Sequence, residues 1–190
     1  MTTERNKMKR WMMYLGLVVA TVSLAEEGVL DLDGIRLRAP KEWKNEEASS
    51  SFRLAQFVLQ RADGDGVDAT CVIFRFGGGQ GGGLEANLNR YYGQFEQPDG
   101  RATKDLAKTT KREVSGIPIT IADISGTYIA PKRPGAPERF NEPNWRMLVA
   151  MLTVNENSYF IRAVGPQKTI ARWEKSFEEF IGSLQKAKLP

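Results

Sequence analysis

The 190-residue chain contains no histidine and a single cysteine, Cys71. Without these residues it cannot form a Ser-His-Asp or Cys-His catalytic site, a zinc site of the histidine or cysteine type, or an internal disulfide. It also lacks a long hydrophobic run. Its composition, 41% hydrophobic and 26% charged, is that of a globular protein and excludes disordered, collagen-like and multi-span membrane classes. At this length a single domain is the expectation.

The N-terminus has the three-part layout of a secretory signal peptide. Basic residues precede an apolar stretch at 11–22, and Ser23-Leu24-Ala25 places small residues at the two positions that a signal peptidase reads. The apolar run ends before the ~20 residues that a membrane-spanning helix needs. We therefore predict that residues 1–25 are a cleaved signal peptide, that 26–190 form one domain, and that the protein is exported, periplasmic or extracellular. A retained anchor is the alternative.

Removal of residues 1–25 also removes most of the positive charge. The full chain has a formal net charge of +4, and four of its basic residues lie in the signal segment, so the mature chain is nearly neutral. Nucleic-acid binding requires a surplus of Lys and Arg gathered into a stripe. We predict no nucleic-acid partner and, after signal cleavage, no membrane association.

The mature sequence alternates between strand and helix patterns in hairpin order. Alternating apolar segments bounded by turn residues predict a hairpin at 29–38 and strands at 52–60, 68–76, 106–114, 117–128, 145–154 and 159–164. Apolar residues at helical spacing predict helices at 84–95 and 170–184. The fold class is therefore α+β, with a largely antiparallel sheet of about six to seven strands covered by two main helices. Cys71, inside an apolar strand, is predicted to be buried.

Two stretches of the chain resemble the Mog1/PsbP-like family. One is the segment 159–166 followed by the helix that carries Trp173 and Phe177, and the other is the opening 35–43 with Pro40 and Trp43. The segment 74–95 is similar to exported bacterial members of unknown function. The resemblance implies the fold. Because that fold is known as a docking platform and not as a catalyst, it also implies a non-enzymatic binding role.

A glycine run at 77–83, interrupted by Gln80, connects a predicted strand to a predicted helix. It formally contains G-x-G-x-x-G, but hairpin-ordered strands do not supply the parallel βαβ unit of a dinucleotide site. The run is interpreted as a flexible connection, and an anion held by backbone N–H groups beside the helix N-terminus stays open as an alternative.

A polar line follows the glycine run on the first predicted helix. The candidate partner-binding or ligand-binding residues are Gly78, Gly79, Gln80, Asn87, Arg90 and Gln94. The alternative is a solvated helix face. The proline-rich segment 130–143 is predicted to be an exposed loop, and its length is typical of a functional or a disordered loop.

The acidic residues form no recognisable site in the sequence. Asp63-Gly64-Asp65-Gly66 lacks the later ligands of an EF-hand loop, so a hairpin turn is the preferred interpretation. No spacing in the sequence brings together two of the candidate carboxylates for hydrolysis, which are Glu85, Glu96, Asp99 and Asp123. The predicted function is an exported, non-catalytic binding or scaffold protein of the cell envelope with no cofactor, whose partner is an envelope protein or a small ligand. A hydrolase with a carboxylate pair is the alternative.

Overall fold

Antiparallel strands are the main regular structure of the chain. The computed structural model describes residues 28–32, 34–48, 50, 52–133 and 135–186, so the predicted signal peptide lies outside the described residues. The strands are β1 (Val29–Leu32), β2 (Ile35–Arg38), β3 (Lys44–Glu46), β4 (Arg53–Leu59), β5 (Ala69–Phe76), β6 (Phe95–Glu96), β7 (Lys108–Val114), β8 (Ile117–Tyr128), β9 (Glu142–Val154), β10 (Asn157–Pro166) and β11 (Gln185–Lys186). The helices are α1 (Leu84–Tyr92), α2 (Thr103–Leu106) and α3 (Gln167–Gly182).

The main sheet has eight strands in the order β3-β4-β5-β10-β9-β8-β6, with β7 also paired to β8. A small second sheet has the order β1-β2-β11. The α+β class with an antiparallel sheet is confirmed. The short elements β3, β6, α2 and β11 were not predicted, because segments of two to four residues carry no measurable hydrophobic period.

The last helix, α3, packs against the main sheet and forms a hydrophobic core with it. Its stripe of large apolar residues packs on one face of the sheet, where Phe177 is 0% exposed and Phe180 is 1% exposed. The ring of Trp43 contacts that of Phe180, with centroids 5.1 Å apart. Cys71 lies in the same core and is buried, as predicted. We call this side of the sheet the helix face.

The acidic turn that invited a calcium interpretation caps this helix. The backbone N–H and the hydroxyl of Thr169 both donate to the Asp65 carboxylate, at 2.9 and 2.6 Å. Gly64 takes a φ of 86° in the turn, a value that glycine adopts without strain. The segment is therefore a turn that holds the start of α3.

The opposite side of the sheet, which we call the cavity face, has a smaller core and is covered by the short helix α1. Tyr91 from α1 and Phe95 from β6 pack there on Ile124, Met147 and Phe160. The helix expected at 84–95 ends at Tyr92, because Gly93 is its C-cap and Phe95 pairs with Tyr128 as part of β6. The predicted helix was too long because Phe95 of β6 continues the apolar spacing of α1.

The segment predicted as an exposed loop at 130–143 is partly ordered by backbone pairing. Pro131 forms a bridge with Arg139, and the Phe140 N–H donates to the carbonyl of Ala130 at 2.9 Å. Strand β9 already begins at Glu142. The segment folds back on itself, and its two ends form a wall over the cavity face.

Candidate functional site: a basic cavity

A cavity of about 720 Å³ lies on the cavity face. It is bounded by the end of α1, by the folded-back segment after β8, and by strands of the main sheet. Its volume is within the range of small-molecule sites in proteins. We call it the basic cavity, because six of its lining side chains are basic and one, Asp68, is acidic. The basic ones are Arg53, Arg90, Lys132, Arg133, Arg139 and Arg162.

One side of the basic cavity is aromatic. The rings of Tyr128 and Trp145 are stacked, with centroids 5.2 Å apart and planes 7° from parallel. The ring of Phe140 lies 5.3 Å from that of Tyr128. We call Tyr128, Phe140 and Trp145 the aromatic wall. It offers flat apolar surface to a ligand.

Three arginines converge over a pair of phenylalanines in the sheet. Register pairs Phe74 of β5 with Phe160 of β10. The guanidinium carbons of Arg53 and Arg162 lie 5.7 and 5.3 Å from the centroid of the Phe74 ring. That of Arg90 lies 5.9 Å from the Phe160 ring. We call Arg53, Arg90 and Arg162 the three-arginine cluster.

Arg162 reaches the cavity because of strand alternation. Its neighbours Ile161 and Ala163 belong to the core of the helix face, so the side chain of Arg162 projects to the other side. In the described part of the chain, no carboxylate forms an ion pair with any member of the three-arginine cluster. The contacts recorded for these guanidinium groups are with aromatic rings and with the side-chain amide oxygens of Gln56 and Asn87.

Two buried polar atoms at the cavity lack hydrogen-bond partners. Within the described residues, the buried side-chain atoms without a partner are Nε of Arg162 and Oε1 of Gln94. Both residues line the basic cavity. Buried polar atoms in proteins are almost always paired. These two atoms could therefore form hydrogen bonds with a ligand in the cavity.

Tyr91 and Tyr128 bring phenol groups to the same cavity. Burial raises the pKa of Tyr91, and this outweighs the opposite effect of the Arg162 and Arg90 charges. Burial likewise raises the pKa of Tyr128. Both phenols stay protonated near neutral pH, so the positive charge of the lining is not neutralised by phenolates.

Only some of the candidate residues from the sequence line the basic cavity. Arg90 and Gln94 line the basic cavity. Asn87 lies one turn earlier and accepts a hydrogen bond from Arg90 at 2.6 Å. Gly78, Gly79 and Gln80 are exposed, do not line this cavity, and have no contact with its lining that the structure records.

Asn87 is not on a solvated helix face. It is 4% exposed, and its amide nitrogen donates to the carbonyls of Gly81 and Gly83 at 2.6 and 3.0 Å. It ties the glycine segment to α1 and, through its oxygen, orients Arg90. Its role is to position Arg90.

Sequence reasoning missed most of the cavity lining. Arg53, Arg162 and Trp145 come from three different strands and share no local motif. The one available signal was Arg162, a charged residue in the middle of the apolar segment 159–164. A charge there needs a partner, a ligand or an opening to water.

Two of the candidate acidic residues form ion pairs with arginines. Asp123 pairs with Arg146 at 2.8 Å, and Asp99 pairs with Arg101 at 2.6 Å. In the part of the chain that the structure covers, no group of three or more Asp, Glu or Cys side chains could hold a metal ion. The described lining of the basic cavity includes one carboxylate, so it presents no carboxylate pair.

Comparison with known proteins identifies the fold. No protein-family profile matches the chain, and no curated protein matches it. A solved structure, that of cyanobacterial PsbP (CyanoP) from Synechocystis, superposes with a TM-score of 0.51 at 10% identity and covers 90% of this chain and 100% of that one. The chain therefore has the PsbP-like fold, which confirms the Mog1/PsbP-like resemblance.

Two further structures are less similar. LpqN, involved in cell envelope biogenesis of Mycobacterium tuberculosis, gives a TM-score of 0.48 at 10% identity over 84% of this chain and 90% of that one. A protein from Bacteroides thetaiotaomicron gives 0.44 at 12% identity over 81% of this chain, which spans 45% of the length of that protein. At these identities the likeness concerns the fold and assigns no residue roles.

Proposed function

We propose that the chain is an exported, non-catalytic protein that binds a small ligand in the basic cavity. The observation that carries this proposal is the cavity itself, with a volume of about 720 Å³ and a lining of arginines and aromatic rings. A recess of this size encloses a small molecule, whereas a protein partner would use a broad, flatter surface. The cavity therefore favours a small ligand over an envelope protein, the other kind of partner that the sequence left open.

A binding role is favoured over hydrolysis by the chemistry of the lining. Glycoside hydrolysis with two carboxylates needs a pair about 5 to 9 Å apart across the ligand. In the described lining Asp68 is the single carboxylate, and it accepts a hydrogen bond from the backbone N–H of Arg61 at 2.9 Å. Arginines and aromatic rings orient and hold a ligand without moving protons.

Export is part of the proposal and rests on the layout of residues 1–25. Among the described residues, the helices are all too short or too polar to cross a membrane. N-terminal sequencing of the protein recovered from the envelope of its own cells tests export, and we expect the chain to begin at Glu26. Recovery of a cell-associated chain that still begins at Met1 would favour the anchor.

Ligand binding is tested with two fluorescent probes that share one apolar body, the neutral phenylnaphthylamine and the anionic anilinonaphthalene sulfonate. We expect at least one of them to bind the mature protein with one site per chain. The variant Gln94→Trp places a large ring in the cavity and should abolish this binding, while Gln80→Trp, on the exposed glycine run, should preserve it. If neither probe binds, or if Gln94→Trp binds as the wild type does, the proposed function is wrong.

A further inference from the structure

We propose that the ligand of the basic cavity is an organic anion, with its acidic group held by the three-arginine cluster and its apolar body against the aromatic wall. This inference rests on the proposed function and adds the chemical class of the ligand. It combines the uncompensated charge of Arg53, Arg90 and Arg162 with the flat apolar surface of Tyr128, Phe140 and Trp145.

The charge of the cluster is the first step. Its three guanidinium groups line one cavity and lie over two directly paired residues, Phe74 and Phe160, so their like charges repel one another. Ring faces compensate part of this repulsion. A carboxylate, phosphate or sulfonate would compensate the rest and would accept hydrogen bonds from several guanidinium groups together.

Arg146 differs from Arg162 in that its largely buried guanidinium group is paired with carboxylates. Arg146 donates to both oxygens of Asp123 at 2.8 and 2.9 Å, and to Glu174 at 2.8 Å. Arg162, on the next strand, lies over the Phe74 ring, and its buried Nε has no hydrogen-bond partner among the described residues. Arginine is the side chain best suited to recognise a planar acidic group, and here it is left available.

The size of the cavity and the aromatic wall define the rest of the ligand. A volume of about 720 Å³ is far larger than inorganic phosphate requires, so an anion without a body leaves most of the cavity unused. Trp145 and Phe140, which pack against the buried ring of Tyr128, are half-buried and offer apolar surface that rewards burial of a ring or an alkyl chain. Lys132, Arg133 and Arg139 are exposed residues of the lining, and their charges attract anions to the cavity and repel cations.

The two fluorescent probes measure the contribution of the acidic group directly, because they differ by one sulfonate. We expect the sulfonate probe to bind the wild type at least about tenfold more tightly than the neutral probe, as for one charge-assisted hydrogen bond. Arg162→Gln should bring the ratio of the two affinities close to one. Equal affinities in the wild type overturn the proposal, although the proposed function survives if both probes bind.

A matched control is available on the other face. Arg172 also lies over an aromatic ring, with its guanidinium carbon 5.3 Å from the Trp173 centroid, but it does not line the basic cavity. Arg172→Gln should leave the affinity ratio unchanged. If it lowers the ratio as much as Arg162→Gln does, the effect is one of overall charge and the cluster is not the site.

Competition experiments identify which part of an anion is recognised. Decanoate and decyl phosphate should displace the sulfonate probe, decyltrimethylammonium should not, and inorganic phosphate should need at least about a hundredfold higher concentration than decyl phosphate. Displacement by inorganic phosphate at the concentration of decyl phosphate contradicts the role of the aromatic wall. Should Arg162→Gln fail to fold, as judged by circular dichroism, Arg53→Gln serves as the second variant, with the same expected fall in the affinity ratio.

Discussion

Arg146 and Arg162 lie on neighbouring strands, β9 and β10, and project to opposite faces of one sheet. On the helix face Arg146 is enclosed by two carboxylates, one of them from α3, and its side chain is 12% exposed. On the cavity face Arg162 is surrounded by further arginines and by rings. The same residue type is thus paired with carboxylates on one face and, on the other, lies over an aromatic ring without such a pair in the described residues.

This difference extends to the cover of each face. The helix face is sealed by the 16-residue helix α3 and by the small sheet, and its core contains most of the fully buried aromatic and aliphatic side chains. The cavity face is covered by the nine-residue helix α1 and by the folded-back segment after β8. Stability is therefore expected to depend on the helix face, and binding on the cavity face.

The largest expected effect is the loss of a side chain from the helix face. Phe177→Ala should lower the free energy of unfolding by about 3 to 5 kcal/mol, because this ring is fully buried and its removal leaves a cavity. Phe52→Ala deletes the same ring at a site that is 55% exposed and should cost less than about 1 kcal/mol. Urea denaturation of both variants measures the difference, and equal costs would show that α3 does not seal the core.

The second prediction compares the two arginines by the same substitution. Arg146→Met leaves Asp123 half-buried without its two hydrogen bonds and should cost about 2 kcal/mol. Arg162→Met removes a charge and a buried Nε for which the described residues supply neither an ion-paired carboxylate nor a hydrogen-bond partner, so stability should change by less than about 0.5 kcal/mol or increase. Thermal melting of both variants decides, and a larger loss for Arg162→Met would assign Arg162 to the structural framework.

The sequence predicted the helix face much better than the cavity face. The stripe that includes Phe177 recurs at helical spacing within one segment, and Ile161 alternates with its neighbours, so local periodicity alone indicates burial. The basic cavity is built from residues of β4, β5, α1, β8, β9 and β10, each contributing one to three side chains. A site assembled in this way has no spacing to detect. Arg90 was selected for its position after the glycine run, and its contacts with Tyr91 and Phe160 depend on the packing of α1 across the sheet.

The third prediction concerns alkaline pH and the phenol groups of the cavity face. Burial raises the pKa of Tyr91 above its value in the unfolded chain, about 10. The folded state therefore favours the protonated phenol, and this contribution is fully present below pH ~10 and is lost as the pH rises through the raised pKa. Above pH ~10 the free energy of unfolding of the wild type, measured by urea denaturation, should fall more steeply with pH than that of Tyr91→Phe, by at most about 1.4 kcal/mol per pH unit. Cys71, whose pKa burial also raises, is present in both proteins and cancels from the comparison.

The smallest expected effect is at the glycine run, and it separates that run from the cavity. Gly78 and Gly79 have φ values of 59° and 75°, and an added Cβ would meet no atom within 4 Å at either position. Asparagine tolerates such φ values better than other side chains do, so Gly78→Asn and Gly79→Asn should cost about 1 kcal/mol or less. Because neither residue lines the basic cavity, the affinity of the sulfonate probe should stay within about twofold of the wild type. A tenfold loss of affinity with an unchanged melting temperature would show that the glycine run contacts the ligand, and the binding site would then extend along α1 from Arg90 to the exposed loop.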